Sequence, residues 1–179
     1  MRLSEVEAET DLAEFCRQEW PRLTGSLALF TGDRDLAEEL AQEALIRVCE
    51  HWERVREASS PSAWAHRVGF NLAKSHFRRW AATRRIQRLD TPAEVELEPD
   101  TVSRIALRQA LAGLSEVQRE TLLLRYFADL SVREVAGLMN CPMNTVKTNT
   151  RRALEALRSH GLRDIEASDT TCLASEGTR

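Results

Sequence analysis

Arg67, Asn71, Lys74 and Arg78 recur at i, i+4, i+7 and i+11. On a helix of about 3.6 residues per turn that spacing lays them in one stripe. Trp64 flanks it. Such a stripe offers cations for phosphates, an amide for a base edge and an aromatic ring for stacking. A second set lies near the other end of the chain. Thr148, Arg151, Arg152 and Glu155 share a helix face, with Lys147 and Arg158 beside them. Small polar residues ahead of arginines suit the DNA major groove, where the small ones reach base edges and the cations meet guanines or phosphates. The plain alternative for both sets is a solvated basic face. The complete absence of acids from residues 61–89 weakens it for the first. A third set, Glu39, Gln42, Glu43, Glu50 and Glu53, surrounds Ile46. An isoleucine ringed by acids and an amide fits a protein interface. Glu39 and Glu43 could also be read as paired carboxylates, with His66 or His76 as a base. No Gly-rich phosphate loop or metal-ligand spacing accompanies them, and such pairs are usually solvated. No catalytic residue, metal or cofactor is assigned.

The elements that must carry these sets are helices. Glycine is scarce, helix formers dominate, and no long alternating run appears, so the fold class is all-α. Residues 1–9 are acidic and predicted to fray. From 10 to 30, Leu12, Phe15, Cys16, Trp20, Leu23, Leu27 and Phe30 recur at helical steps, with a kink expected at Pro21. Thr31-Gly32 ends that helix, and Asp33 caps the next, over about 34–52. Its apolar side is Leu36, Ala37, Leu40, Ala41, Ala44, Leu45 and Val48. Residues 54–62 read as a loop. Ser60-Pro61 then starts a helix to about 84, with Ala65, Val68, Leu72, Ala73 and Trp80 on one side.

Proline and acidic residues over 85–101 mark a polar, flexible linker. Beyond it, a helix to 112 closes at Gly113, and Ser115 with Gln118 forms a capping box for a helix to about 127. Ser131 with Glu134 forms another. Val132, Val135, Ala136 and Met139 give the helix after it an apolar face. Asn140-Cys141-Pro142 stops it, and Asn144 is the expected cap of the last helix, whose stripe is Val146, Ala153 and Leu157. Gly161 is its expected end, with a disordered tail after it.

The net charge of −3 argues weakly against a nucleic-acid binder, but its distribution does not. Residues 1–60 hold 14 acids and 7 Lys/Arg, residues 61–89 hold 7 Lys/Arg and no acid, and residues 90–101 hold five acids and no base. Charge segregated in this way implies separate surfaces for separate partners. Cys16, Cys49, Cys141 and Cys172 form no CxxC pair, and free thiols in a reducing compartment are expected. No apolar run suggests membrane insertion or a signal peptide, which points to the cytoplasm.

Two helical units, an acidic linker, a basic–aromatic helix and a helix-turn-helix together resemble the sigma-70 family of RNA polymerase sigma factors. The short form is similar to the extracytoplasmic-function (ECF) group, which keeps regions 2 and 4. The matching stretches are DRDLAEELAQEALIRV, PSAWAHRVGFNLAKSHFRR and LSVREVAGLMNCPMNTVKTNTRRAL. The resemblance implies region 2 over 8–84, a linker over 85–101, region 4 over 102–162 and a disordered tail over 163–179. It implies that Glu39, Gln42, Glu43 and Ile46 meet the β′ clamp helices of RNA polymerase core, and that region 4 meets the β flap. The helix over 61–84 would hold the melted minus-ten element. Asn71 and the loop 54–62 would line a pocket for a turned-out base, Trp64 would flank it, and Arg67, Lys74, Arg78 and Arg79 would hold phosphates. Lys147, Thr148, Asn149, Arg151 and Arg152 would read the minus-thirty-five element of promoter DNA. An anti-sigma factor is a further partner the family allows. Glu39, Ser75, Asn149 and Thr150 depart from the family pattern, and the last two bear on the promoter sequence read. The alternatives are a stand-alone helix-turn-helix regulator, which needs neither the acidic face nor the region-2 stripe, and a sigma-like protein that binds polymerase without initiating.

Overall fold

The structure, a computed structural model, describes residues 2–87 and 102–159, with side chains described over 11–83 and 107–159. All regular elements there are helices: α1 (Arg2–Thr31), α2 (Arg34–Glu50), α3 (Trp52–Arg56), α4 (Pro61–Gln87), α5 (Val102–Ala112), α6 (Glu116–Tyr126), α7 (Val132–Met139) and α8 (Met143–Ser159). The linker over 88–101, Gly161, Cys172 and the tail lie outside the described residues.

Residues 2–9, expected to fray, are the first turns of α1. No helix breaker separates them from the apolar stripe, and Glu and Ala are good helix formers. Pro21 sits inside the helix. Its end is at Gly32, whose φ of 78° needs a residue without a Cβ. The Asp33 carboxylate accepts from the Leu36 amide at 3.0 Å and starts α2. That helix is shorter than the sequence suggests, because its last turn closes at His51. The His51 carbonyl accepts from Arg54 and Val55 and opens α3. The expected loop 54–62 is therefore only residues 57–60. Burial of Val55 and the packing of Trp52 on Phe15, 5.3 Å between ring centres, hold this turn helical.

Ser60 starts α4 as the sequence predicts, its hydroxyl accepting from the Ala63 amide at 3.2 Å. The buried seam of α4 is His66, Gly69, Phe70 and Ala73, at i, i+3, i+4 and i+7. Val68 and Leu72 are only half-buried, and Trp80, read from its spacing as inward, is 44% exposed. Trp20 of α1 is likewise exposed. The seam closes on Leu23, Leu27 and Phe30 of α1, and the Phe30 and Phe70 rings meet edge-on at 5.0 Å. Gly69 permits the approach, since a Cβ there would lie 3.0 Å from Leu23 Cδ1 and 3.2 Å from Leu27 Cδ1.

Beside this seam lies a buried polar cluster. The Ser62 hydroxyl donates to Glu19 Oε2 at 3.0 Å, and His66 Nδ1 is 3.1 Å from the Ser62 carbonyl. Glu19 Oε2 is 3.6 Å from His66 Nδ1, but the pair is not ionic at neutral pH. Burial pushes the imidazole down to about 4 and pushes the Glu19 carboxyl up.

In the second half both predicted capping boxes are present, at Ser115–Gln118 and Ser131–Glu134. The stop of α7 falls within Asn140-Cys141-Pro142 as the sequence predicts, on Asn140, in the left-handed region at φ 50°, ψ 51°. The start of α8 also moves. The Pro142 carbonyl accepts from Thr145 and Val146, so Asn144 lies inside the first turn and is not its cap. Val146, Thr150, Ala153 and Leu157 form the buried stripe of α8. The Thr150 hydroxyl is satisfied by the Val146 carbonyl at 2.9 Å.

The fold also joins what the sequence separates. Cys16 of α1 and Cys49 of α2 are neighbours, and burial followed by Cys49 pushes the Cys16 thiol up to about 11. No helix among the described residues is long and apolar enough to cross a membrane.

Two stability predictions follow from the seam. Gly69→Leu should cost about 1–3 kcal/mol by overpacking, while Gly137→Ala in α7, where a Cβ meets nothing within 4 Å, should gain about 0.5–1 kcal/mol in urea denaturation. Similar effects of both would contradict the close approach. Because His66 has a folded pKa near 4 against 6.5 unfolded, the unfolded chain protonates first. Its contribution is present above pH 6.5 and lost as pH falls toward 4, by at most about 1.4 kcal/mol per unit. Relative to the wild type, His66→Leu should therefore gain stability across that window, and parallel pH profiles would refute the assignment.

Candidate nucleic-acid interface

The outer face of α4 carries the basic stripe because the opposite face is closed against α1. Arg67, Asn71, Arg78 and Arg79 are exposed there. Arg78 is folded along its own helix, donating to Ser75 Oγ at 3.1 Å and to the Lys74 carbonyl at 3.4 Å. Trp64 is half-buried, its ring meeting His51 edge-on at 6.2 Å.

Lys74 differs from its neighbours in the stripe. It directly follows Ala73 and lies nearest the buried seam. Its ammonium donates to Glu120 Oε1 of α6 at 2.8 Å, with the Lys74 side chain 29% and the Glu120 side chain 4% exposed. Two further contacts tie the halves together. Arg119 Nη1 donates to the Phe30 carbonyl at 3.1 Å, with the guanidinium carbon 5.8 Å from the centre of the Phe30 ring. Glu134 of α7 lies near Ser60 in the loop before α4. Partial burial raises the Glu134 carboxyl, but hydrogen bonds from Ser131 and Ser60 outweigh it and hold the group below the usual carboxylate range. Glu120, Arg119, Ser60 and Glu134 were not singled out from the sequence as parts of one surface. Lys74 and Glu120 lie 46 residues apart, and no local spacing signals such a pair.

On α8, Arg151 and Arg152 are exposed, while Lys147, Thr148 and Asn149 are half-buried. Arg151 Nη1 pairs with Glu155 Oε1 at 3.1 Å across one turn. That pair is solvent-exposed, so it orients the guanidinium without withdrawing it from a competing phosphate. On α2, Glu39, Gln42 and Ile46 are exposed and Glu43 is half-buried, bonded to Arg47 Nε at 3.0 Å. Ile46 is 45% exposed amid these groups. The acidic face thus forms one surface on the outside of α2, away from the core side chains Ala37, Ala41, Ala44 and Val48.

A helical unit with a basic, aromatic-flanked helix, joined to a helix-turn-helix, defines a two-headed nucleic-acid-binding protein. The comparisons narrow this class. The chain matches Sigma-70 region 2 over residues 16–84 and Sigma-70, region 4 over residues 104–157. It is 30% identical over 153 residues to the RNA polymerase sigma-H factor of Pseudomonas aeruginosa, covering 76% of this chain and 78% of that one. It is 30% identical over 144 residues to the ECF RNA polymerase sigma factor SigW of Bacillus subtilis, covering 72% and 76% respectively. Its fold matches the sigma factor RpoE of Bartonella quintana, solved in complex with the anti-sigma factor NepR. That match has a TM-score of 0.74 at 21% identity and covers 86% of this chain and 98% of that one. The chain belongs to the sigma-70 family, in the ECF group. It is a promoter-specific initiation factor of RNA polymerase. Matches to both regions disfavour a stand-alone helix-turn-helix regulator, since such a protein needs no region 2.

Proposed function

We propose how the residues of this chain divide that work. The domains run over 8–84 for region 2 and 102–162 for region 4, with 85–101 as linker. On α2, Glu39, Gln42, Glu43 and Ile46 grip the β′ clamp helices of core polymerase, and region 4 meets the β flap. On α4, Arg67, Lys74, Arg78 and Arg79 hold phosphates of the melted minus-ten strand. Asn71 bonds the edge of a base turned out of the stack, in a pocket flanked by Trp64 and walled by the loop 57–60. Lys147, Thr148, Asn149, Arg151 and Arg152 of α8 read the minus-thirty-five duplex. The observation that carries this reading is the outward stripe of α4: its arginines and Asn71 are exposed, and no acid interrupts residues 61–89.

The physics suits two linked readers. Each head alone binds DNA weakly and mainly through phosphates. Held together on polymerase, the second contact becomes intramolecular and specificity multiplies. Unstacking bases in the minus-ten region costs a few kcal/mol, which pocket and stacking contacts offset. The chain acts in the cytoplasm, where the polymerase is, and supplies no catalytic group. A relative of the same fold is held by an anti-sigma factor, and a partner of that kind fits this chain.

The deciding experiment is transcription in vitro on genomic fragments by bacterial core polymerase, with and without this protein. Discrete new starts that share two spaced upstream motifs establish the reading. Core binding without starts would favour a non-initiating regulator. Arg67→Ala with Asn71→Ala should abolish promoter opening, read by permanganate reactivity, while core binding stays intact; opening that survives removes α4 as the minus-ten reader. Arg151→Ala with Arg152→Ala should weaken contact with the upstream duplex by about 1–3 kcal/mol per residue and reduce the salt slope by about 2. Unchanged footprints there would remove α8.

A further inference from the structure

Two thiols that the function above does not use meet between α1 and α2. These helices turn at Gly32 and Asp33 and pack on each other as an antiparallel hairpin. Leu23, Leu27 and Ala44 converge at Gly69, and Phe15 meets Trp52 at 5.3 Å nearer the open end. That register sets Cys16, beside Phe15, opposite Cys49, one turn before Trp52. The buried side of α2 carries Ala37, Ala41 and Ala44, small residues that let the two axes come close. Both cysteines are free thiols, Cys49 exposed and Cys16 half-buried. A small oxidant in solution therefore reaches Cys49 first. Burial, followed by Cys49, pushes the Cys16 thiol up to about 11, so Cys16 keeps its proton while Cys49 is intact.

The position of Cys49 on α2 gives the pair a consequence. Gln42, Ile46 and Cys49 fall at i, i+4 and i+7, and all three are exposed, so Cys49 continues the edge of the acidic face. A bulky adduct on its sulfur would stand beside Ile46. A bond to Cys16 turns the same sulfur toward α1 instead.

We propose that Cys16 and Cys49 are a resolving pair: a peroxide oxidises Cys49, and Cys16 converts it to an internal disulfide that staples α1 to α2 and keeps adducts off the α2 face. The Cys49 thiolate attacks one peroxide oxygen. An S–O bond forms, the O–O bond breaks, and the departing hydroxide takes a proton to become water. The Cys16 sulfur then attacks the Cys49 sulfur. An S–S bond forms and the S–O bond breaks, with loss of a second water that carries the Cys16 proton. Two thiols have lost two electrons and two protons, and the peroxide is reduced to two waters. Exchange with a dithiol reverses the bond. Formation of the pair is independent of what α2 binds. Protection of binding rests on α2 as the polymerase face, and the test separates the two.

The full chain is treated with stoichiometric hydrogen peroxide in the presence of glutathione, then digested with trypsin. In the wild type, the peptides 3–17 and 48–54, which carry Cys16 and Cys49, should appear as one species lighter than the two together by two hydrogens and released by dithiothreitol. Melting should rise by roughly 10 °C and fall back on reduction, because the staple constrains the unfolded chain. Surviving thiols at both positions, a sulfinic acid at Cys49 or a glutathione adduct there would overturn the pair, and this mapping needs no variant to fold. A mapped bond without a melting shift would overturn the staple. Cys16→Ser should instead take glutathione on Cys49. Untreated, it should bind core polymerase as the wild type does; treated, it should lose about tenfold in affinity while the treated wild type loses none. Cys16→Ser with Cys49→Ser should bind core equally before and after treatment, which excludes effects at Cys141 and Cys172. Capped Cys49 with unchanged core binding would overturn the protective role. Ile46→Glu tests the α2 face by itself: if it weakens core binding where the capped thiol does not, the polymerase assignment stands and only the protective role falls.

Discussion

The close approach of α4 to α1 at Gly69 is the constraint on which the rest depends. With no side chain at that position, Leu23 and Leu27 fill the space against α4, and Phe70 reaches the ring of Phe30. Once that seam is closed, helical geometry leaves no freedom for the opposite face. Arg67, Asn71 and Arg78 must point outward, about 100° per residue fixing their direction from His66, Phe70 and Ala73. The same seam brings Phe30 to the junction between the halves, where its carbonyl holds Arg119. One apolar contact thus sets the direction of the basic face of α4 and the docking point of α6.

Electrostatics is then distributed over surfaces rather than over the whole molecule. A net charge of −3 would repel DNA if it were spread evenly. Instead the acids gather on the outside of α2 and the bases on the outside of α4 and α8, and charges on surfaces more than a Debye length apart are largely screened from one another. The ion pairs on these faces are local ones, Glu43 with Arg47 and Arg151 with Glu155, both exposed. Such pairs contribute little to stability and yield readily to a partner's charges. Lys74 with Glu120 is different in kind, because one member is buried and the pair crosses from one domain to the other.

Much was legible before any fold was known, and the reasons are local. Capping at Asp33, Ser60, Ser115 and Ser131 depends on side chains within three residues of the amides they satisfy. The stop at Gly32 depends on one dihedral angle. Errors fell where a distant element decides. Trp20 and Trp80 have inward phase but remain 38% and 44% exposed. The turn at His51 is helical because Val55 and Trp52 find partners in α1 and the core, not because of any signal near it. The first turn of α8 opens at the Pro142 carbonyl, which places Asn144 inside the helix rather than at its cap.

By itself the sequence determined the helices, the stripe on α4, the acidic face around Ile46 and the helix-turn-helix, because periodicity and capping are written within about one or two turns of chain. Those were sufficient to expect an all-α protein with separate acidic and basic surfaces. Only the tertiary structure decided that Lys74 is not simply a member of its stripe, that Glu120 and Glu134 lie against α4 and the loop before it, and that His66 is a neutral core residue beside Glu19. Each of these is a meeting of residues about 46 or more positions apart, or of chain segments on different helices. No rule of local spacing encodes such meetings, since they follow from how whole helices pack.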